Sequence, residues 1–376
     1  MGQNVPSWCA AVTPSRRVTQ PQLKMNVMKK SVLAAAMLLG LLVAGCDEQQ
    51  TSADSGLVLA GKTMGTQWRV SLAGVPDDRQ EALRSKIQQL LDSDDHELST
   101  WKKDSVLSRF NQAHDNRPQP ISPEMADIIT MSLRIGRLTQ GAMDITVGPL
   151  VNLWGFGPDR QPSHTPSQTE INAAKAQIGL QHLQVIERAD GAYLQKDLPG
   201  LYVDLSTMGE GFATDHLARL MEQEGINNYL VSVGGAVLTR GHNAAGNAWR
   251  VAIQKPTDRE NAVQARVDLQ GHGISTSGSY RNYYELDGKR ISHVIDPQTG
   301  QPIEHRLVSA TVIATTALEA DGWDTGLMVL GTEKAKALAL REKLAVYLIT
   351  KDKEGFSSWM SPQFRAFLLQ DDSASR

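Results

Sequence analysis

Only two cysteines occur in 376 residues, Cys9 and Cys46, and both precede the region that patterns as globular. The folded body therefore has no disulfide framework and no cysteine-based metal site. An excess of one charge is missing as well: 38 lysines and arginines stand against 41 acids, a formal net charge of −3. That balance gives no basic field of the kind that neutralises a phosphate backbone, so nucleic acid is not an expected partner. No apolar run reaches the roughly 20 residues that a transmembrane helix needs. No segment recurs at a fixed period, which sets solenoids and propellers aside. What the chain does have is 41% apolar residues, enough for an ordinary globular core.

Near the N-terminus, Lys29-Lys30, an apolar run over 32–43 and then Val43-Ala44-Gly45-Cys46 follow one another in the order of a secretory signal. The end of this segment resembles the bacterial lipobox, in which the cysteine is lipidated and becomes the first mature residue. The plain alternative is that Cys46 is a small residue closing a buried helix. Acyl chains insert at roughly 0.8 kcal/mol per CH₂, so lipidation at Cys46 implies a protein held on a membrane surface. Asp47 resembles the retention signal of enteric lipoproteins, which gives the periplasmic face of a bacterial inner membrane as the expected location. The expected organisation is an upstream extension over 1–24, a lipoprotein signal peptide over 25–45, a lipidated flexible tether over 46–56, one domain over 57–370 and a polar tail over 371–376.

Within the domain, strands are expected at 57–60 and 67–72, flanking a glycine-bearing turn. Leu83, Ile87, Leu90 and Leu91 share one helical stripe. Ser122-Pro123 and Thr165-Pro166-Ser167-Gln168 read as helix starts, the second with a capping box. Further strands are expected at 183–187, 192–195, 201–205, 229–233, 249–253 and 265–269, with a helix over 209–223. Asp287-Gly288 signals a hairpin of the type I′ kind. Two helices over 318–330 and 333–343 and a hairpin of 346–350 with 364–369 close the chain. Helices interspersed with antiparallel hairpins, without repeating βαβ units, predict a single compact α+β domain with mixed and antiparallel sheets and packed helices.

Four constellations carry possible chemistry. Leu318, Asp321, Asp324, Thr325 and Met328 fall on one helical face, so two acids point where apolar residues belong. Burying two carboxylates calls for a cation, and oxygen donors without His or Cys favour Mg²⁺ or Ca²⁺. If the helix instead starts at Asp324, both acids are simply solvated. The turn Asp204-Leu205-Ser206-Thr207-Met208-Gly209-Glu210-Gly211 offers free N–H groups to an anion, or is only a capped helix start. Gly141-Ala142-Met143-Asp144 and the glycines up to Gly157 suit close backbone approach to a flat ligand, or tight packing. His293, expected in a strand just before a turn, has no nucleophile paired with it in sequence, and structural and catalytic readings both stand.

Taken in order, Thr63-Met64-Gly65-Thr66, the 141–157 segment, 204–211, Ser232-Val233-Gly234-Gly235, 275–280, 293–300 and 321–325 resemble the motifs of the ApbE family of flavin transferases. The similarity spans about 57–369 and implies a T-fold-like domain that moves FMN from FAD to a protein threonine or serine hydroxyl, releasing AMP, with Mg²⁺. It implies FAD contacts at Met64, Trp101, Ala142, Met143, Asp144, Asp204, Glu210 and Ile295, and Mg²⁺ ligands at Thr207, Asp321, Asp324 and Thr325. His293 is the expected proton acceptor, with Asp321 or Asp324 as alternatives. Implied acceptors are flavin-carrying subunits of membrane redox complexes, of the sodium-pumping NADH:quinone reductase or Rnf type. Gly209-Glu210-Gly211 departs from the family's Ala-Lys-Gly turn. An acid cannot donate to a pyrophosphate, so Glu210 is expected to accept a hydrogen bond from a sugar or base.

The lipobox reading is checked by fractionating cells that express the full chain: Cys46→Ala is expected to move the protein from the membrane to the soluble fraction. Membrane retention of the variant would overturn lipidation at that residue.

Overall fold

The computed structural model describes residues 56–158, 162–256, 262–280 and 282–369. The upstream extension, the signal peptide, Cys46 and the polar tail lie outside them. Among the described residues, no helix is long and apolar enough to cross a membrane.

Apolar residues at Leu57, Leu59, Trp68, Val70 and Leu72 alternate with more exposed ones and fold into β1 (Leu57–Thr63) and β2 (Thr66–Leu72). The turn between them is Met64-Gly65, both with positive φ. In α1 (Gln80–Leu98) Leu83, Ile87 and Leu91 form the expected buried stripe. The short α2 (Val106–Gln112) is capped by Ser105, and β3 (Gln119–Ile121) leads into α3 (Pro123–Leu138), capped by Ser122 with Pro123 at its first position. After α4 (Gly148–Leu153), α5 (Gln168–Lys175) opens on the predicted capping box of Ser167 and Glu170. The strands β4 (Leu183–Arg188) and β5 (Gly191–Lys196) join β3 in a small sheet, and α6 (Gly209–Gln223) follows.

The second half adds β6 (Tyr229–Val233), β7 (Ala236–Arg240), the hairpin β8 (Val251–Gln254) and β9 (Val263–Val267), and β10 (Gly273–Gly278). The strands β11 (Tyr283–Leu286) and β12 (Lys289–Ser292) pair around Asp287-Gly288, whose two positive φ values are those a type I′ turn requires. Then come β13 (Ile295–Asp296), β14 (Gln301–Pro302), β15 (Leu307–Ala314), α7 (Ala317–Arg341), β16 (Ala345–Asp352) and β17 (Gly355–Met360). Gly331, at φ 74 and ψ 171, breaks α7 near the gap expected between two helices.

Eight strands form the main sheet in the order β1-β2-β6-β7-β10-β15-β16-β17, every neighbouring pair antiparallel. Residues of α1, α6 and α7 pack on one face, and the β8–β9 hairpin with Phe364 packs on the other. The central strands are thus covered twice, and every residue of β6 is buried. This is the α+β architecture expected.

Three expectations fail locally. Residues 201–205 form no strand, because side chains take up their backbone groups: Asn111 Nδ2 donates to Val203 O at 2.8 Å while its Oδ1 accepts from Val203 N at 2.8 Å. The buried Lys196 ammonium donates to Leu201 O at 3.1 Å. The partner of β16 is β17, whereas Pro362–Phe367 is a 3₁₀ turn with proline at its start. The strands β7, β10 and β15, central to the sheet, were not anticipated; β10 in particular is Gly-Ile-Ser-Thr-Ser-Gly, with no apolar alternation to mark it.

The small residues of β10 and α6 let α7 approach. A Cβ on Gly273 would lie 2.2 Å from Ala317 N, and one on Gly211 would lie 2.4 Å from Ala317 O. Asp215 of α6 caps α7 from outside, its two oxygens accepting from Ala317 N at 2.8 Å and Leu318 N at 2.9 Å. Gly211→Ala is therefore expected to lower unfolding free energy by about 1–3 kcal/mol in urea titrations through overpacking. Gly209→Ala, with nothing within 4 Å of the added methyl, is expected to leave it unchanged or slightly raised.

Candidate functional site

The N-terminal turns of α6 and α7, the end of β10 and the segments around 142–157 and 293–297 line one cleft of about 330 Å³. Its floor is set by the α6–α7 contact. On α7, Asp321 and Asp324 are both buried, so the helix carries its acids inward as the spacing predicted. Asp321 Oδ2 accepts from Gly211 N at 2.8 Å and Oδ1 from Ser275 Oγ at 3.1 Å. Asp324 Oδ1 accepts from Thr325 Oγ1 at 3.2 Å, but Asp324 Oδ2 is buried without a hydrogen-bond partner. Thr207, in the turn before α6, lines the same cleft, and its buried Oγ1 is also without a partner.

Five carboxylates line the cleft, Asp144, Asp204, Glu210, Asp321 and Asp324, and no lysine or arginine does so among the described residues. Burial, reinforced by the nearby Glu210 charge, pushes Asp321 well above the usual carboxylate range. Burial and the neighbouring Asp321 do the same to Asp324. Glu210 is raised by burial, partly offset by the Gly235 N–H that its Oε2 accepts at 2.8 Å. Asp144 is raised by burial against hydrogen bonds from Thr146 N at 2.7 Å and Thr146 Oγ1 at 2.6 Å. Ionised carboxylates in such a space are stable only beside a counter-charge.

The unpartnered oxygens are where such a counter-charge could be held. Asp321, Asp324, Thr207 and Thr325 present two carboxylates and hydroxyls, with no sulfur or imidazole, a donor set for a hard cation. Among the described residues no group of three or more His, Cys, Asp and Glu forms a metal cage.

The turn 204–207 is held by Asp204, whose N–H donates to Ile145 O at 2.7 Å and whose Oδ1 accepts from Ser206 N at 2.9 Å. Ala142, Asp144 and the buried Ile295 line the cleft, and Trp101, 66% exposed, offers a bare aromatic face to it. Met64 and Met143 do not line it. Met64 occupies the β1–β2 turn and packs on the core under β1, β2 and α6. Met143 is wholly buried in the core around α7.

His293 lies in a bend between β12 and β13 rather than in a strand. Its Nδ1 donates to Asn282 O at 2.9 Å, which fixes the tautomer and leaves Nε2 as an acceptor. Burial lowers its pKa, so the ring is neutral at neutral pH. Phe156 stacks edge-on against it at 6.3 Å between centroids and meets Tyr284 of β11 at 5.1 Å, while Tyr284 Oη donates to Trp154 O at 2.7 Å. These contacts tie the β11–β12 hairpin to the glycine-rich segment.

Ser275, Asn282 and Asp215 were missed from sequence. Ser275 sits on a strand whose composition reads as loop, Asn282 acts through its backbone carbonyl across the hairpin, and the partners of Asp215 are distant in the chain.

A model of the ApbE family matches residues 64–348. A protein of Salmonella typhimurium named FAD:protein FMN transferase is 67% identical over 352 residues, covering 93% of this chain and 99% of its own length. One of the same name from Escherichia coli is 64% identical over 353 residues, covering 93% and 99%. Among solved structures, the flavin transferase ApbE of Vibrio cholerae superposes with a TM-score of 0.76 at 42% identity, covering 84% of this chain and all of its own. The apo flavinyl transferase ApbE of Pseudomonas stutzeri gives 0.75 at 37% identity, covering 83% and 96%.

Raised carboxylate pKa values fix a sign for stability. The folded, cation-free protein keeps protons that the unfolded chain has lost above about pH 4, so this stabilisation is full below that pH and is lost as pH rises through the raised values. In thermal melts with chelator present, the wild type is expected to lose more stability than Asp324→Asn between about pH 5 and about pH 8. Added Mg²⁺ is expected to restore the wild type alone. Equal pH slopes would contradict the burial of ionisable acids.

Proposed function

The chain belongs to the ApbE family and is a flavin transferase, and we propose that it carries FMN from FAD to a threonine or serine hydroxyl of an acceptor protein, releasing AMP. The observation that carries this reading is the acidic cleft with two unpartnered buried oxygens, Thr207 Oγ1 and Asp324 Oδ2.

The acceptor oxygen attacks the phosphorus on the FMN side of FAD, forming a phosphoester. The bond from that phosphorus to the bridging oxygen breaks, and AMP leaves with the oxygen. His293 Nε2, neutral and held by the Nδ1–H to Asn282, takes the hydroxyl proton. Trp101 and Ile295, which line the cleft, would offer faces to the flat rings, and Asp204 and Asp144 would accept from ribityl or ribose hydroxyls. Glu210 already accepts from Gly235 N, which leaves its other oxygen for the nucleotide. Asp321, Asp324, Thr207 and Thr325 would hold Mg²⁺, which when bound supplies neutralisation of charge on the pyrophosphate.

The acceptors are flavin-carrying subunits of membrane redox complexes, of the sodium-pumping NADH:quinone reductase or Rnf type, and a lipid on Cys46 would hold enzyme and acceptor on the periplasmic face of one inner membrane.

Incubating the domain with FAD, Mg²⁺ and such a subunit is expected to give AMP and covalent flavin fluorescence on the acceptor. AMP without labelled acceptor would indicate an FAD pyrophosphatase, and neither product an FAD-binding lipoprotein. Asp321→Ala is expected to abolish transfer, and full activity of that variant under chelation would remove the Mg²⁺ assignment. His293→Ala is expected to lower kcat by about 10²–10⁴-fold with little change in FAD affinity.

A further inference from the structure

Beside the cleft lies a second concavity, of about 970 Å³, which the chemistry above does not use. Their walls adjoin through neighbouring residues. Gly278 lines the cleft and Ser279 the second cavity; His293 lines the cleft and Ser292 the second cavity. An extended chain advances about 3.3 Å per residue, so a segment that puts its hydroxyl beside His293 carries its near neighbours over this cavity.

The charges of the two spaces are opposite. Lys255, Lys289, Arg290 and Lys351 line the second cavity, with Glu304 the one acid among its described lining residues. The ammonium groups of Lys255, Lys289 and Lys351 have no carboxylate partner among the described residues. Arg290 is held in place, donating to Ser279 O at 2.9 Å and lying over the Tyr283 ring at 3.6 Å. Phe356, 44% exposed, adds an apolar wall. The cleft itself offers an acidic chain no lysine or arginine among the described residues, whereas the cationic neighbour attracts it.

From this juxtaposition we propose that the basic cavity docks an acidic segment of the acceptor protein, adjoining the hydroxyl that receives FMN. The assignment rests on the transferase reading. A free nucleotide phosphate is the competing occupant, and it is separable because it would affect FAD rather than the acceptor.

The test uses the whole domain with FAD, Mg²⁺ and the flavin-carrying subunit of a sodium-pumping NADH:quinone reductase or of an Rnf-type complex, whichever the wild type labels. Lys289→Glu with Lys351→Glu, both at exposed side chains, is expected to lower kcat/KM for the acceptor by about tenfold or more, mostly through KM. Lys289→Arg with Lys351→Arg is expected to retain wild-type values. FAD affinity, read from flavin fluorescence, is expected to stay unchanged in both, and added salt is expected to slow the wild type more than the charge-reversed enzyme. An unchanged acceptor KM in an actively transferring, charge-reversed enzyme would overturn the docking site alone. Weakened FAD binding in that variant would reassign the cavity to the nucleotide. A wild type that labels neither subunit would overturn the transferase reading and this one with it.

Discussion

Two buried carboxylates, Asp321 and Asp324, and the half-buried Glu210 share one space that no lysine or arginine lines among the described residues. The rest of the site follows from that electrostatic debt. Left without a cation, burial and the neighbouring acids favour their protonated forms, since each ionised group destabilises the next. In the function proposed for this cleft, the same oxygens would hold a cation, on the helix pair that presents them. The core around them is therefore built for closeness. Gly211 brings its own N–H to Asp321 at 2.8 Å, an approach a side chain at that position would block.

Backbone positions around the cleft are set by side chains from distant elements. Asp215 caps the first turn of α7 from α6, Asn111 brackets Val203 beside Asp204, and Ser275 reaches Asp321 from the middle of the main sheet. Each is a buried or half-buried polar group with these hydrogen bonds made, the arrangement in which low dielectric strengthens placement instead of costing it. The unpartnered oxygens of Thr207 and Asp324 stand out against that background, and so does the imidazole of His293, oriented through Nδ1 and open at Nε2.

How much of this the sequence carried depends on the range of the contacts. The inward acids of α7 were legible because a 3.6-residue period places Asp321 and Asp324 among apolar neighbours, and the structure starts that helix at Ala317, ahead of both. The starts of α3, α5 and α6 were legible from caps and glycines. The strands β7, β10 and β15 were not, although they form the middle of the main sheet. The small polar residues of β10 are selected by the approach of α7, a tertiary demand that leaves no local period. Residues 201–205 misled for the converse reason: their apolar alternation is real, but Asn111 and Lys196 take the hydrogen bonds a neighbouring strand would have taken. That Thr207 and Asp324 share one cleft, and that a basic cavity adjoins it, are facts of packing between segments a hundred or more residues apart.

If the buried acids keep protons until a cation displaces them, metal binding must release those protons. Titrating Mg²⁺ into the metal-free domain at neutral pH, in buffers of differing ionisation enthalpy, measures that release directly. Protons are expected to leave as Mg²⁺ binds the wild type, and fewer to leave from Asp324→Asn. Binding with no proton release, or the same release in the variant, would contradict the account of a cleft whose acids wait for a cation.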